Sequence, residues 1–228
     1  MSGRGGDTSR VRFRASRSAG EVSAAITRPE GARWMLVLAH GAGAGMTHPF
    51  LEALTASLAA QGAASFRYQF PYMERGAKRP DPPPLLEATV RSAVEAAAGI
   101  AGDLPLLAGG KSLGGRMTSR AAAREPLEGV GGLVFFGFPL HAIGKPGAER
   151  ADHLDQVDVP MLFLQGSRDR LADLALLEPV VERLGPRAAL HVVEDADHSF
   201  HVPARSGRSD GEAIDELAAE TARWAAGI

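Results

Sequence analysis

One serine of the sequence has the neighbours that a reactive serine on a tight turn requires. The segment Gly110-Lys111-Ser112-Leu113-Gly114 follows a short apolar stretch and precedes a helix-compatible one. A nucleophile at such a strand-to-helix turn needs small residues two positions before and after it, because larger side chains clash with the adjoining backbone. We therefore predict that the hydroxyl of Ser112 is a nucleophile beside a helix N-terminus, where free backbone N–H groups can hold an anion.

An acid and a histidine follow Ser112, each after its own apolar stretch. Asp169 comes after the predicted strand 161–164, and His198 comes after the predicted strand 189–193. A serine hydroxyl is a poor nucleophile at neutral pH unless a base takes its proton and an acid orients that base. Active sites of open α/β sheets gather at the carboxyl ends of the strands. We predict Asp169 as the orienting acid and His198 as the general base.

Other residues compete for each of these roles. Ser209 lies in a second segment of the same glycine pattern, 207–211, but no apolar stretch precedes it, so we expect it to cap the last helix. Asp169 is also explained by a turn or helix start, and Asp173 is its local competitor. The histidines that compete with His198 are His201, His141 and His153.

A segment of small residues is placed to bind an oxyanion. The residues HGAG at 40–43 come directly after the predicted strand 34–39, and a serine nucleophile at a strand-to-helix turn needs a second source of backbone N–H for the oxyanion. We assign the oxyanion hole to the backbone N–H groups of Ala42 and Leu113, with Gly43 as the neighbouring candidate. His40 is expected to fix this loop rather than to react.

Two glycine-rich segments match nucleotide-binding motifs in part, and each lacks a glycine that the motif requires. Gly110-Lys111-Ser112 is the end of a P-loop, but Pro105 stands where that motif requires glycine. Residues 41–46 lack the last glycine of a dinucleotide fingerprint. The pairs Asp195/Asp197 and His198/His201 are not completed by further metal ligands. We predict no cofactor and no metal.

The elements that must position these residues alternate between strands and helices. Short apolar runs predict strands that helices cover on both faces, at 34–39, 63–68, 104–108, 132–136, 161–164 and 189–193. Helical spacing predicts helices at 50–61, 85–100, 115–123, 174–184 and 210–226. Residues 11–14 and 22–27 alternate as a hairpin does, and the proline-rich residues 71–84 are expected to form a surface loop. This order predicts an α/β fold with a mostly parallel sheet.

Length and composition limit the domain count and the partners. With 228 residues, we expect one α/β domain over 11–228 behind a flexible tail at 1–10. A net charge of -2 recruits neither nucleic acid nor an anionic membrane, and the lack of cysteine excludes disulfides and a thiolate nucleophile. With no apolar run of about 18 residues and no secretory signal, a cytoplasmic location is the expectation.

Six segments together resemble the α/β-hydrolase superfamily. More narrowly, they are similar to small bacterial hydrolases of the testis-expressed-protein-30-like group and, more distantly, to dienelactone hydrolases. The resemblance extends from about Trp34 to the C-terminus and implies a sheet of about seven to eight strands together with the triad assigned above. The segments are LAHGAGAGMTHPF, FRYQFPYMERGAKRPDPPP, AGGKSLGGRM, FFGFPLHAIGKPG, PMLFLQGSRDRL and DADHSF.

These residues predict acyl transfer to water from a small ester, thioester or lactone. Between the strands that end at 136 and begin at 161 there is room only for a loop and a short helix, so we expect no lid domain and an open site. Tyr72 and Met73 either line its entrance or pack in the core. The alternative is a catalytically silent scaffold that binds a protein partner or a small ligand through the same pocket, since a fold alone does not establish a function.

Overall fold

The computed structural model describes residues 7–228, and its strands form one sheet. They are β1 (Asp7–Ser16), β2 (Gly20–Arg28), β3 (Trp34–Ala39), β4 (Ala63–Tyr68), β5 (Leu106–Lys111), β6 (Val130–Phe136), β7 (Met161–Gly166) and β8 (Ala188–Val193). The spatial order is β1-β2-β4-β3-β5-β6-β7-β8. Strands β3 to β8 pair in parallel, whereas β2 pairs antiparallel with both neighbours. The predicted α/β fold with a mostly parallel sheet is confirmed.

Helices cover both faces of this sheet. They are α1 (Pro49–Ala60), α2 (Pro71–Glu74), α3 (Pro83–Ala101), α4 (Leu113–Arg124), α5 (Leu174–Leu184) and α6 (Asp210–Ala225). The apolar stripes of α1 and α6 share one core with one face of the sheet, and those of α3, α4 and α5 share the other core. Because both faces are covered, every residue of β3, β4 and β7 is buried, as the continuous apolar runs predict.

The N-terminal hairpin is longer than predicted. Strand β1 begins at Asp7, whose partner in β2 is Arg28, so residues 7–10 belong to the sheet and not to a tail. Residues 8–10 are exposed on this edge strand, where polar residues are typical, so the sequence gives no apolar signal there. Near its open end, the hydroxyls of Thr8 and Thr27 lie 2.9 Å apart across the hairpin. The remaining part of the predicted tail, residues 1–6, lies outside the described residues.

The proline-rich segment 71–84 is not wholly a surface loop. It contains the short helix α2 and the first residues of α3, and Tyr72 within it is fully buried. Pro71 and Pro83 each open a helix, a position where the missing N–H of proline has no intrahelical acceptor and costs nothing. The prediction failed because it treated proline as a helix breaker at positions where proline begins a helix.

The connection between β6 and β7 contains no lid domain. Residues 137–160 hold one 3₁₀ segment, Glu149–Gln156, and otherwise loop. This agrees with the room that the sequence leaves between the two strands. Of the helices within 7–228, none is long and apolar enough to cross a membrane.

Candidate active site

Ser112 lies at the turn between β5 and α4 in a backbone conformation that side chains rarely adopt. Its φ of 51° and ψ of -115° place it in a sparsely populated region. The conformation is fixed on both sides, because the N–H of Ser112 donates to the carbonyl of Phe136 at 3.1 Å and its own carbonyl accepts from the N–H of Arg116 at 3.1 Å. The turn therefore projects the Ser112 hydroxyl at the carboxyl end of the sheet.

The glycines on either side of Ser112 are required by close backbone contacts. A Cβ on Gly110 would lie 2.6 Å from the carbonyl oxygen of Ala39, and a Cβ on Gly114 would lie 2.6 Å from the carbonyl oxygens of both Ala39 and His40. No side chain fits at such distances. The same contacts press the first turn of α4 against the end of β3, so the loop that follows β3 lies beside Ser112.

The structure brings Ser112, His198 and Asp169 together in one hydrogen-bonded row. His198 Nε2 is 2.8 Å from Ser112 Oγ, and His198 Nδ1 is 2.7 Å from Asp169 Oδ2. The carboxylate only accepts, so Nδ1 carries the proton and Nε2 is free to accept from the serine hydroxyl. The side chain of His198 is 24% exposed and that of Asp169 is 0% exposed. The row thus leads from a buried acid to a half-buried serine.

The carboxylate of Asp169 is fully oriented by its neighbours. Oδ1 accepts from the N–H of Leu171 at 2.8 Å, and Oδ2 accepts from Gln165 Nε2 at 2.5 Å as well as from His198. Gln165 is buried in β7, and its role was missed in the sequence analysis. The signal was present, because a glutamine near the end of an otherwise apolar strand must find a polar partner when it is buried.

The loop that carries His198 is also held in an unusual conformation. Asp195 and Phe200, two of the residues around His198, have φ values of 61° and 63°. The carboxylate of Asp197 accepts from the backbone N–H groups of Ser199 and His201 at 2.7 and 3.1 Å. These bonds fold the loop back on itself after β8 and turn the imidazole toward Ser112.

Two backbone N–H groups next to Ser112 are available to bind an anion. Leu113 is the first residue of α4, and Ala42 lies in the loop that Gly114 contacts. Within the described part of the chain, neither N–H donates a hydrogen bond to another protein group. An N–H at a helix start adds the favourable end of the helix dipole. The arrangement is compatible with the predicted oxyanion hole.

His40 and Tyr72 fix the loop at 40–43. His40 Nδ1 donates to the carbonyl of Gly41 at 2.7 Å and its Nε2 accepts from the N–H of Phe70 at 3.0 Å, so both ring nitrogens are used. Burial lowers the pKa of His40 to about 4, which keeps the ring neutral. The hydroxyl of Tyr72 donates to the carbonyl of Ala42 at 2.9 Å and lies 3.3 Å from that of Gly41.

Tyr72 therefore has a role that the sequence analysis did not foresee. Burial raises its pKa to about 12, with a further contribution from Asp81, so the hydroxyl remains a donor. Of the two alternatives for Tyr72 and Met73, the structure favours packing, because Tyr72 is buried and Met73 packs against the same core. Tyr72 differs from an ordinary core residue in holding the carbonyl of the residue assigned to the oxyanion hole.

The competing residues all have other partners. His201 Nδ1 is 3.0 Å from the carboxylate of Asp210. His141 accepts from the N–H of Asp173, and Asp173 itself caps α5. Ser209 caps α6 in a capping box with Glu212, as predicted. Across residues 7–228, no three His, Cys, Asp or Glu side chains gather as metal ligands.

A second serine and histidine also meet, at Ser119 and His153. Ser119 Oγ is 2.7 Å from His153 Nε2 and 3.0 Å from the carbonyl of Arg116. Ser119 is fully buried in α4, and no carboxylate among the described residues bonds to His153. Burial, with the nearby cations Arg120 and Arg116, lowers the pKa of His153 to about 4. This pair lacks both an orienting acid and access for a substrate.

A protein-family model described as an alpha/beta hydrolase domain matches residues 32–226. Among solved structures, the chain is similar to a dienelactone hydrolase from Anabaena variabilis, with a TM-score of 0.76 and 21% identity over 97% of both chains. It is also similar to a lidless serine hydrolase of Xanthomonas campestris, with a TM-score of 0.75 and 20% identity over 96% of this chain and 95% of that one. An esterase domain from Rhodothermus marinus gives a TM-score of 0.72 and 15% identity over 96% and 98%. At these identities, the likenesses show the fold.

Proposed function

Since this chain belongs to the alpha/beta hydrolase family, we propose that it is a serine hydrolase that cleaves an ester-like bond of a small molecule. The class includes esters, thioesters and lactones. The observation that carries the proposal is the row from Asp169 through His198 to Ser112, with contacts of 2.7 and 2.8 Å. Nucleophile, base and acid at these distances are what acyl transfer requires.

In the proposed mechanism His198 Nε2 accepts the proton of Ser112 as Oγ attacks the carbonyl carbon. The negative charge that develops on the carbonyl oxygen is held by the N–H groups of Leu113 and Ala42. Asp169 keeps the proton on Nδ1 and stabilises the imidazolium. The imidazolium then donates its Nε2 proton to the leaving oxygen or sulfur, and the acyl group stays on Ser112.

The second half of the reaction repeats these roles with water. His198 takes a proton from a water molecule, whose oxygen attacks the acyl-enzyme carbonyl while the same two N–H groups hold the oxyanion. Collapse releases the acid and returns the proton to Ser112 Oγ. No other side chain has to gain or lose a proton, so these three residues supply every acid and base that the cycle needs.

The short connection between β6 and β7 favours small acyl groups. With only a 3₁₀ segment in residues 137–160, no lid domain supplies the long apolar walls that bind extended chains. We expect acetyl and butyryl esters of p-nitrophenol to be hydrolysed faster than octanoyl or longer esters. A panel of these esters and of simple lactones measures the preference.

Labelling with a fluorophosphonate tests the nucleophile. We expect the wild-type protein to be labelled, with the adduct on the peptide that contains Ser112, and Ser112→Ala to remain unlabelled. Ser209→Ala is the matched control, because Ser209 has the same flanking glycines but caps α6, and this variant should be labelled like the wild type. An unlabelled wild-type protein, or a labelled Ser112→Ala, would contradict the proposal and favour a silent binding scaffold.

A further inference from the structure

Lys111, the residue before the proposed nucleophile, has an unusual environment that the mechanism above does not use. Its ammonium group donates to the backbone carbonyl of His198 at 2.6 Å, which joins residues 87 positions apart. It also lies 5.4 Å from the ring centre of Phe200 and 5.9 Å from that of Phe50. These two rings are stacked, with centres 5.6 Å apart. The ammonium group of this half-buried side chain therefore lies against two aromatic rings and the loop of the base.

Burying this cation works against stability. Burial lowers the pKa of Lys111 to about 8, opposed by the negative charges of Asp169 and Asp197. Within residues 7–228, no carboxylate lies close enough to Lys111 Nζ to form an ion pair. An enclosed ammonium without a contacting counter-ion is costly, and cation–π contacts return only part of that cost. A methionine of similar length would fill the same space without a charge.

We propose that Lys111 is a positioning residue for the base. Its ammonium group ties the main chain of His198 to the end of β5, directly before Ser112, and it holds a positive charge beside the Asp169–His198 pair. This inference rests on the proposed function, because Lys111 can position a base only if His198 acts as one.

The tie to Lys111 acts on a loop that would otherwise relax. Asp195 and Phe200 on either side of His198 both have positive φ values, which cost energy for residues other than glycine. A loop under such strain needs contacts that hold it, and the bond from Lys111 is made to the carbonyl of His198 itself. Misplacement of a reacting group by about 1 Å lowers rates by up to about 100-fold.

The charge of Lys111 has a separate consequence for pH dependence. The charged groups that face the ammonium are Asp169, from the loop after β7, and Asp197, from the loop of His198, while α1 contributes the ring of Phe50. A cation near an imidazole disfavours the imidazolium form. Removal of the cation should therefore move the acid limb of kcat/KM to higher pH.

Replacement of Lys111 by an uncharged residue should lower activity without lowering the stability of the protein. The pKa of Lys111 is lower in the folded protein than in the unfolded chain, so between about pH 8 and 10.5 the unfolded chain binds more protons and stability rises with pH. At neutral pH the charged lysine therefore costs stability. Its replacement by methionine should leave the melting temperature unchanged or raise it.

The test compares Lys111→Met with Lys78→Met, which alters an exposed lysine. For p-nitrophenyl acetate, we expect kcat of Lys111→Met to fall about 10- to 100-fold with KM within about 3-fold. Its acid limb should move to higher pH and its melting temperature should not fall. Lys111→Arg, which retains the charge, should keep the acid limb at the wild-type pH. Lys78→Met should match the wild type throughout.

A wild-type kcat and pH profile in Lys111→Met would overturn the inference. So would a loss of activity that a lower melting temperature fully accounts for, because that result indicates a structural role alone. Failure of the proposed function is a different outcome, namely a wild-type protein that fluorophosphonate does not label. In that case an NMR titration of the His198 ring in wild type and Lys111→Met still tests the effect of the Lys111 charge. Identical titration midpoints in the two proteins would overturn that effect.

Discussion

Within residues 7–228, two serine–histidine pairs have nearly equal geometry but different surroundings. Ser112 and His198 approach to 2.8 Å, and Ser119 and His153 approach to 2.7 Å. Both serines belong to the same turn-and-helix unit, seven residues apart. The contact between hydroxyl and imidazole therefore does not distinguish a site from an ordinary buried pair.

The surroundings of the two pairs differ in three ways. The ring of His198 is oriented by a buried carboxylate, whereas that of His153 lies near the cations Arg116 and Arg120. Ser112 is partly exposed at the start of α4, whereas Ser119 is fully buried within that helix. The N–H groups of Leu113 and Ala42, proposed to hold the oxyanion, have no acceptor among the described residues, while the N–H groups in the middle of a helix are used internally. The acid, the access and the oxyanion donors identify the candidate site.

The largest expected effect comes from removing one histidine of each pair. His198→Gln should lower kcat/KM for p-nitrophenyl acetate by about 10⁴- to 10⁶-fold, because Ser112 loses its base. His153→Gln should stay within about 3-fold of the wild type, although its melting temperature should fall. Steady-state kinetics with correctly folded variants measures the contrast, and equal losses in both variants would refute it.

The second largest loss of activity is expected from replacing Asp169, the carboxylate that orients His198 and has no counterpart at His153. Asp169→Asn should lower kcat by about 10³- to 10⁴-fold, because the amide no longer fixes the proton on Nδ1 of His198. Asp173→Asn is the matched control, since Asp173 is the nearby aspartate that caps α5 and asparagine caps helices equally well. If Asp173→Asn lost as much activity as Asp169→Asn, the assignment of the acid would be wrong.

A smaller loss of activity is expected from changes that loosen the loop at 40–43, which lies beside Ser112. Tyr72→Phe removes the hydroxyl that holds the carbonyl of Ala42, and we expect kcat to fall about 10-fold with little change in KM, less than the loss of an oxyanion donor itself. Tyr68→Phe provides the comparison, because this buried tyrosine forms no hydrogen bond with the loop at 40–43. Unchanged kcat in Tyr72→Phe would show that the loop holds its shape without this bond.

The pair of Ser119 and His153 should contribute to the pH dependence of the free energy of unfolding. The pKa of His153 is lowered from 6.5 to about 4, so below pH 6.5 the unfolded chain binds a proton that the folded protein excludes. The contribution to stability is present above pH 6.5 and is lost as the pH falls toward 4. Because the ring is partly exposed and solvent screens its charge, we expect His153→Gln to reduce the loss between pH 7 and 4.5 by only about 1 kcal/mol.

Urea unfolding at the two pH values measures this difference. Since His40 is also buried with a pKa of about 4, a residual acid sensitivity should persist in His153→Gln. An identical loss of stability in wild type and variant would show that His153 is not among the groups that resist protonation.

The sequence predicted the fold closely because its signals are local. The ends of β3, β4 and α5 match the predicted ranges, since continuous apolar runs and helical spacing mark elements whose two faces are buried. The predictions failed where local patterns mislead. Polar residues 7–10 hid the start of an edge strand, and the prolines at 71 and 83 begin helices.

The candidate site was predictable in part for the same reason. Glycines at 110 and 114 mark a turn that needs small residues, and the order of Ser112, Asp169 and His198 follows the order of the strands. The catalytic roles of these residues, and of Ala42 and Leu113, stay predictions that the labelling and mutagenesis above would test.

The sequence alone determined the order of the elements, the fold class and a short set of candidate residues, because these depend on neighbours along the chain. Only the tertiary structure decided which histidine meets Ser112 and what holds Asp169, Ala42 and His198 in place. Gln165, Tyr72 and Lys111 make these contacts with groups 4, 30 and 87 positions away. The contacts over 30 and 87 positions exist because the parallel strands bring distant loops to the same edge of the sheet. Hydrogen bonds between such loops leave no periodic pattern in the sequence.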